Sequence, residues 1–80
     1  MKRYHFDIQD SAGMVLDDEG VLLPDLEAVH HEAWKILSEM TREEGRKLQG
    51  LVQIVVDVHD DIGPVMRVRL EGNVEILRKN

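Results

Sequence analysis

The residues of this chain that could take part in chemistry are four histidines and sixteen acidic side chains; the 80 residues include no cysteine. His30 and His31 are adjacent, so on a helix their side chains would point about 100° apart. A helical zinc pair needs histidines four positions apart, and the residue four positions after His30 is Trp34. We therefore expect no metal site on a helix.

Two acidic clusters could attract a hard cation, which prefers oxygen ligands. His59 lies beside Asp57, Asp60 and Asp61. A tight hairpin turn at this point explains the acids without an ion, because aspartate readily bonds the backbone of turns. The acids at 17–19 lack the D-x-D-x-D-G spacing of a calcium-binding loop. We expect both clusters to be turn acids, with no metal bound.

Nucleophilic and cofactor chemistry have even less support in the sequence. The hydroxyls of Tyr4, Ser11, Ser38 and Thr41 lie in no recognisable nucleophile motif. The six glycines are scattered singly, so no phosphate-binding loop is present. We expect no catalytic residue, no cofactor and no enzymatic activity.

Two groups of residues are candidates for a protein interface. Trp34 lies at the border of an apolar helix face with His30 on the same flank, and it either covers the edge of a small core or anchors a partner. Apolar and basic residues on a sheet face form the second group. The full candidate set is Trp34, His30, Val55, Val65, Arg67 and Arg69.

Alternation and turn residues predict the elements that position these side chains. Residues 3–9 alternate as a half-buried strand, residues 10–13 form a turn, and residues 14–16 return as a second strand. Residues 17–20 break that strand, and residues 21–23 are a second apolar piece, read as a continuation after a bulge.

One amphipathic helix follows, with Asp25 as its N-cap. The helical wheel predicts one buried face, and the helix ends either near Glu44 or near Leu48. The predicted buried face consists of Leu26, Val29, Ala33, Ile36, Leu37 and Met40.

The C-terminal half predicts a β-hairpin with a defined register. A three-residue loop at 61–63 places Gly63 at the positive-φ position and pairs residues whose numbers sum to 124. Val56 then faces Val68, and Asp57 faces Arg67 as a cross-strand ion pair. Residues 74–77 either add a short strand or fray.

The order β-β-α-β-β predicts a single α+β domain over residues 1–80. It would be an antiparallel sheet of three to five strands with the helix on one face. With one helix, the other sheet face stays uncovered and carries charges of both signs.

The turns and caps carry a resemblance to known proteins. The series Tyr4-x-Phe6, Asp18-Glu19-Gly20 and Leu23-Pro24-Asp25 resembles a family of small bacterial, mostly alphaproteobacterial, proteins known only as a domain of unknown function. The family often has histidine just after the strand aromatic, where this chain has Asp7, so no histidine-centred activity is implied. A looser likeness is to HicB-type antitoxins, which have a β-β-β-α-β core.

Charge and composition narrow the kind of partner. Residues 1–40 hold nine acids and three bases, and the whole chain has a net charge of −6, which opposes nucleic-acid binding. The lack of cysteine and of an apolar run after the basic N-terminal residues predicts a cytoplasmic protein with no membrane segment.

The sequence alone does not determine the function. The first hypothesis is a non-catalytic protein-binding or regulatory module with a basic partner, and a homodimer is a further expectation. The alternatives are an antitoxin-like protein that neutralises a basic toxin nuclease, or a nucleic-acid-binding protein that uses the arginines of the sheet face.

Overall fold

An antiparallel sheet of five strands carries one helix on one face, as the computed structural model of residues 1–44 and 50–78 shows. The strands follow the spatial order β2-β1-β4-β5, and β3 pairs with β1 on the same side as β2. The predicted α+β class is confirmed, and the predicted second strand consists of two short pieces. The elements are β1 Lys2–Asp10, β2 Gly13–Val15, β3 Val21–Leu23, α1 Leu26–Glu44, β4 Gly50–His59 and β5 Pro64–Val74.

The edge of β1 is covered in two places, with Asp17 filling the gap between them. β3 pairs with residues 2–4 of β1, and β2 pairs with residues 8–10. Between them, the backbone N–H of Phe6 donates to Asp17 Oδ2 at 3.0 Å, and the N–H of Asp17 donates to Asp7 Oδ1 at 3.0 Å. The N–H of Phe6 is therefore hydrogen-bonded, although no strand pairs with β1 at this residue.

Gly20 closes this loop at a position that only glycine fits. Its φ is +74°, and a Cβ atom there would lie 2.8 Å from Arg3 Cγ and 2.9 Å from the carbonyl oxygen of Tyr4. The N–H of Gly20 donates to Asp17 Oδ1 at 3.0 Å. The predicted strand breaker is thus a structured loop that lies directly against β1.

Helix α1 begins as predicted, with Asp25 Oδ1 accepting a 2.8 Å hydrogen bond from the N–H of Ala28. Val29, Ala33 and Leu37 are fully buried, but the prediction for Leu26 is wrong, because this side chain is 58% exposed. A helical wheel gives the direction of a side chain and does not show whether the sheet extends beneath it. The described helix runs to Glu44, and the alternative end at Leu48 lies outside the described residues.

The hairpin of β4 and β5 has the predicted register from Gly50 to Val58, where Val56 pairs with Val68 and Asp57 with Arg67. At the turn the prediction is wrong by one residue, because a register shift after Val58 pairs His59 with Pro64. Gly63 has a φ of +150°, and its carbonyl oxygen accepts the N–H of Asp60 at 3.0 Å. β5 ends at Val74, and residues 75–78 form no regular element.

The core lies between the helix and the even-numbered positions of the central strands. The odd-numbered positions of β1 and β4 face the other side, which no element covers in the described part of the chain. β4 pairs with β1 only from Val55 onward, so the far end of the hairpin projects and the molecule measures 53 × 22 × 16 Å. The buried cluster consists of Tyr4, Phe6, Val29, Ala33, Leu37, Ile54, Val56 and Val58.

Candidate functional site

The N-terminal half of α1 and the segment that enters it form a groove around Trp34. The indole Nε1–H of Trp34 donates to His30 Nε2 at 2.9 Å, and the two rings meet edge to face with centroids 6.4 Å apart. Trp34 is nevertheless 46% exposed. His30 therefore holds a large aromatic side chain in a defined orientation at the surface.

Among the described residues, three acidic side chains line the groove beside this aromatic pair, and no lysine or arginine lines it. No lysine or arginine occurs between Arg3 and Lys35, whereas eight acids do. We call this surface the acidic groove. Its lining residues are Leu23, Pro24, Asp25, Glu27, Ala28, His30, His31, Glu32 and Trp34.

The acidic groove has the chemistry to hold a cation beside an apolar chain. An exposed indole face attracts lysine or arginine, and neighbouring carboxylates strengthen that attraction. Leu23 and Pro24 supply apolar surface along one wall. Glu27 is exposed and Glu32 is half-buried, so both carboxylates lie within reach of a bound segment.

The sheet face away from the helix, formed by the odd-numbered residues of β1 and β4, is called the open face. It carries a second group of polar residues, which the pairing of β1 with β4 brings together. His5 lies opposite His59, and their rings stack with centroids 5.1 Å apart and an interplanar angle of 12°. His59 Nε2 lies 3.2 Å from Asp7 Oδ2. His5 Nδ1 lies 2.8 Å from the carbonyl oxygen of Asp17, which can only accept, so this nitrogen donates.

The arginines of the open face differ in how far they are already paired. Arg67 forms an ion pair with Asp57. Arg69 is exposed and lies opposite Val55, with no acid paired to its side chain in the described residues. Val55 itself is only 7% exposed, because polar side chains of the neighbouring strands surround it, so it offers little surface to a partner.

The structure divides the six predicted interface residues between different surfaces. Trp34 and His30 lie in the acidic groove on the helix side. Val55, Arg67 and Arg69 lie on the opposite face of the sheet. Val65 is half-buried and packs against the core cluster, whereas the sequence pattern placed it with the open face.

Two aspartates have pKa values below their ordinary range. Partial burial opposes ionisation of Asp17, but hydrogen bonds from three backbone N–H groups outweigh it, and the net result is a lowered pKa. The pKa of Asp60 falls to about 2, chiefly because Lys2 Nζ donates to its carboxylate at 2.9 Å. The N–H groups of Ile62 and Gly63 add to the effect. Both aspartates hold loops against β1, which is a structural role.

The stacked histidines are the feature that sequence reasoning missed. Their alignment depends on the register of β1 against β4, and no turn links those two strands to reveal it. Within residues 1–44 and 50–78, no three histidine or acidic side chains converge in a way that could hold a metal ion. No helix in this part of the chain is long and apolar enough to cross a membrane.

Comparison with known protein families gives a match that covers most of the fold. The model of a domain of unknown function, DUF6894, matches residues 3–71. The chain belongs to the DUF6894 family. In this DUF6894 domain the match runs from β1 into β5 and includes the acidic groove. No curated protein and no solved structure matches the chain.

Proposed function

We propose that this protein is a non-catalytic protein-binding module of the bacterial cytoplasm that takes a basic segment of a partner protein in the acidic groove. The observation that carries the proposal is the exposed indole of Trp34, held by His30 among carboxylates. An arginine or lysine of the partner would lie on the indole face.

The charge distribution supports a basic partner over an acidic one. Residues 4–34 contain neither lysine nor arginine, and Lys35, three residues after Glu32, is the first basic residue that follows the groove. Attraction between the groove and a basic segment would raise the association rate and would weaken with salt. By contrast, Arg67 on the open face is already paired with Asp57, which leaves less positive charge for nucleic acid.

An antitoxin role is a narrower form of the same proposal. Elements β1 to β4 follow the order β-β-β-α-β, which is the core order of the HicB-type antitoxins that the sequence resembles. A toxin nuclease with a basic surface would be a partner of the required chemistry. A neighbouring gene for a small basic protein would favour this form, although a shared order of elements does not establish a function.

Peptide binding tests the proposal directly. The probe is a blocked peptide of alternating arginine and leucine, and its glutamate counterpart is the comparison. Binding should change the fluorescence of Trp34, which is the only tryptophan. The double variant E27Q/E32Q should weaken binding by about three- to tenfold, since each surface charge contributes roughly 0.2–1 kcal/mol.

The matched control is E39Q/E75Q, which removes two negative charges from exposed positions outside the groove. Equal binding of the arginine and glutamate peptides would refute the proposal, as would equal weakening by E39Q/E75Q. In a pull-down from native lysate, a specifically captured protein should be basic and should be lost with E27Q/E32Q. Capture that is independent of these carboxylates would also contradict the groove.

A further inference from the structure

The outer edge of β5 is an unpaired strand edge eleven residues long. β5 ends the sheet, and no described strand lies on its far side. Such an edge presents free backbone donors and acceptors to another chain. This free edge of β5 and strands β2 and β3 lie on opposite sides of the sheet. The acidic groove begins next to β2 and β3.

The hydrogen bonds of the hairpin show which β5 residues present those groups. The N–H of Asp60 donates to Gly63, on the β5 side, and Phe6, opposite Val58, turns its N–H away from β4 toward Asp17. Even-numbered residues of β4 therefore hydrogen-bond to β5, and their even-numbered partners in β5 bond back to β4. The residues whose N–H and C=O point out of the free edge are Arg67, Arg69, Glu71 and Asn73.

Among the registers that pair residues within β5 (Pro64–Val74), charge favours one antiparallel arrangement of two copies of this edge. If Leu70 lies opposite Leu70 of a second copy, Arg69 of each chain faces Glu71 of the other. Centring the pair on residue 69 would oppose two Arg69 side chains, and centring it on residue 68 would oppose Arg67 to Arg69. Like charges directly opposite are destabilising, so these neighbouring registers are disfavoured.

Exposed apolar residues at the two ends of β5 fit the same arrangement. Ile62 is 85% exposed just before the strand, and Leu77 is 91% exposed just after it. In an antiparallel pair centred on Leu70, the start of one strand lies beside the end of the other. Ile62 would therefore approach the tail of the second copy, which also carries Ile76, and both would lose exposed apolar surface.

We propose that two copies of this chain associate through antiparallel pairing of their β5 edges, centred on Leu70, to form one continuous sheet. Two Arg69–Glu71 pairs set the register on the open face. The acidic grooves then lie toward the two distant ends of the dimer, so each copy keeps its groove free. This proposal does not depend on the proposed function.

Charge exchange tests the register. Sedimentation velocity over a rising concentration series should show a dimer for the natural chain, and R69E or E71R should each weaken it by about tenfold or more. The exchange variant R69E/E71R keeps the net charge and should restore the dimer. K35E and E39R make matched charge changes on exposed positions of the helix and should leave the dimer unchanged.

Engineered cysteines give a second readout that depends on the same register. L70C should form a disulfide-linked dimer under mild oxidation, because facing residues of a non-hydrogen-bonded pair lie about 4.5 Å apart at Cα. V68C should not, since residues 68 of the two copies would be about 13 Å apart. The chain has no other cysteine.

Three results would overturn the proposal: a natural chain that stays monomeric at every concentration, an exchange variant that does not regain the dimer, or equal cross-linking of V68C and L70C. Circular dichroism identifies any variant that fails to fold. Because L70C and R69E/E71R change different interactions, one of them can still test the dimer if the other does not fold. W34A should weaken peptide binding and leave the dimer intact, so the dimer and the groove are tested separately.

Discussion

Replacing Asp17 by alanine should destabilise the fold far more than a surface acid ordinarily does. Its carboxylate accepts the N–H of Phe6 at 3.0 Å, and the N–H groups of Glu19 and Gly20 at 3.2 and 3.0 Å. Losing the acceptor of the part-buried N–H of Phe6 costs roughly 1–3 kcal/mol, and each of the two bonds within the loop contributes roughly 0.5–1 kcal/mol. Because water can replace some of the lost hydrogen bonds, we expect D17A to lower the free energy of unfolding by about 2–3 kcal/mol.

The matched control is D18A, which removes the same charge from the next residue. The side chain of Asp18 is exposed and makes no hydrogen bond or ion pair within the described residues. D18A should change the unfolding free energy by less than about 0.5 kcal/mol. Urea denaturation followed by circular dichroism measures both, and amide hydrogen exchange at Phe6 reports the lost bond directly. A D17A value within error of D18A would refute the role assigned to Asp17.

The lowered pKa of Asp17 also gives this prediction a pH dependence. A carboxylate whose pKa is lower in the folded state stabilises the fold above its unfolded pKa, and this stabilisation is lost as pH falls through the folded value. The difference in stability between the natural chain and D17N should therefore be largest near neutral pH and shrink in acid. A difference that stays constant down to acid pH would contradict the ionised acceptor.

Three further predictions concern other contacts of the fold. G20A should lose about 2 kcal/mol or more in urea denaturation, because alanine fits neither the positive φ nor the space against β1; an unchanged midpoint would contradict this. K2M should raise the pKa of Asp60 from about 2 toward its ordinary value, measured by carboxyl NMR titration; an unmoved pKa would refute the assigned cause. L37A should lose about 2–5 kcal/mol and L26A less than about 0.5 kcal/mol, and equal losses would contradict their different burial.

The features predicted correctly from sequence are those that neighbouring residues determine. The register of β4 against β5 from Gly50 to Val58 follows from two alternating strands joined by a short loop, and the shift lies only where the loop begins. The helix start follows from Asp25 and the residues just after it. In both cases the interacting groups are close in sequence, and their types limit the backbone to few conformations.

The candidate site was only partly predictable for the same reason. Trp34 and His30 are four residues apart on one helix, so their contact follows from helical spacing. The groove wall formed by Leu23 and Pro24 depends on how the chain enters the helix. The burial of Val55 depends on polar side chains from strands on both sides, which a single-strand pattern does not contain.

By itself, the sequence determined the α+β class, the hairpin register, the helix cap and the acidic character of the N-terminal half. Only the tertiary structure decided that His5 stacks on His59, that Asp17 fills the gap in the edge of β1, and that Leu26 is exposed. These features depend on pairing between segments distant in the chain. Alternation shows which face of a strand is buried, but it does not show which residue of another strand lies opposite.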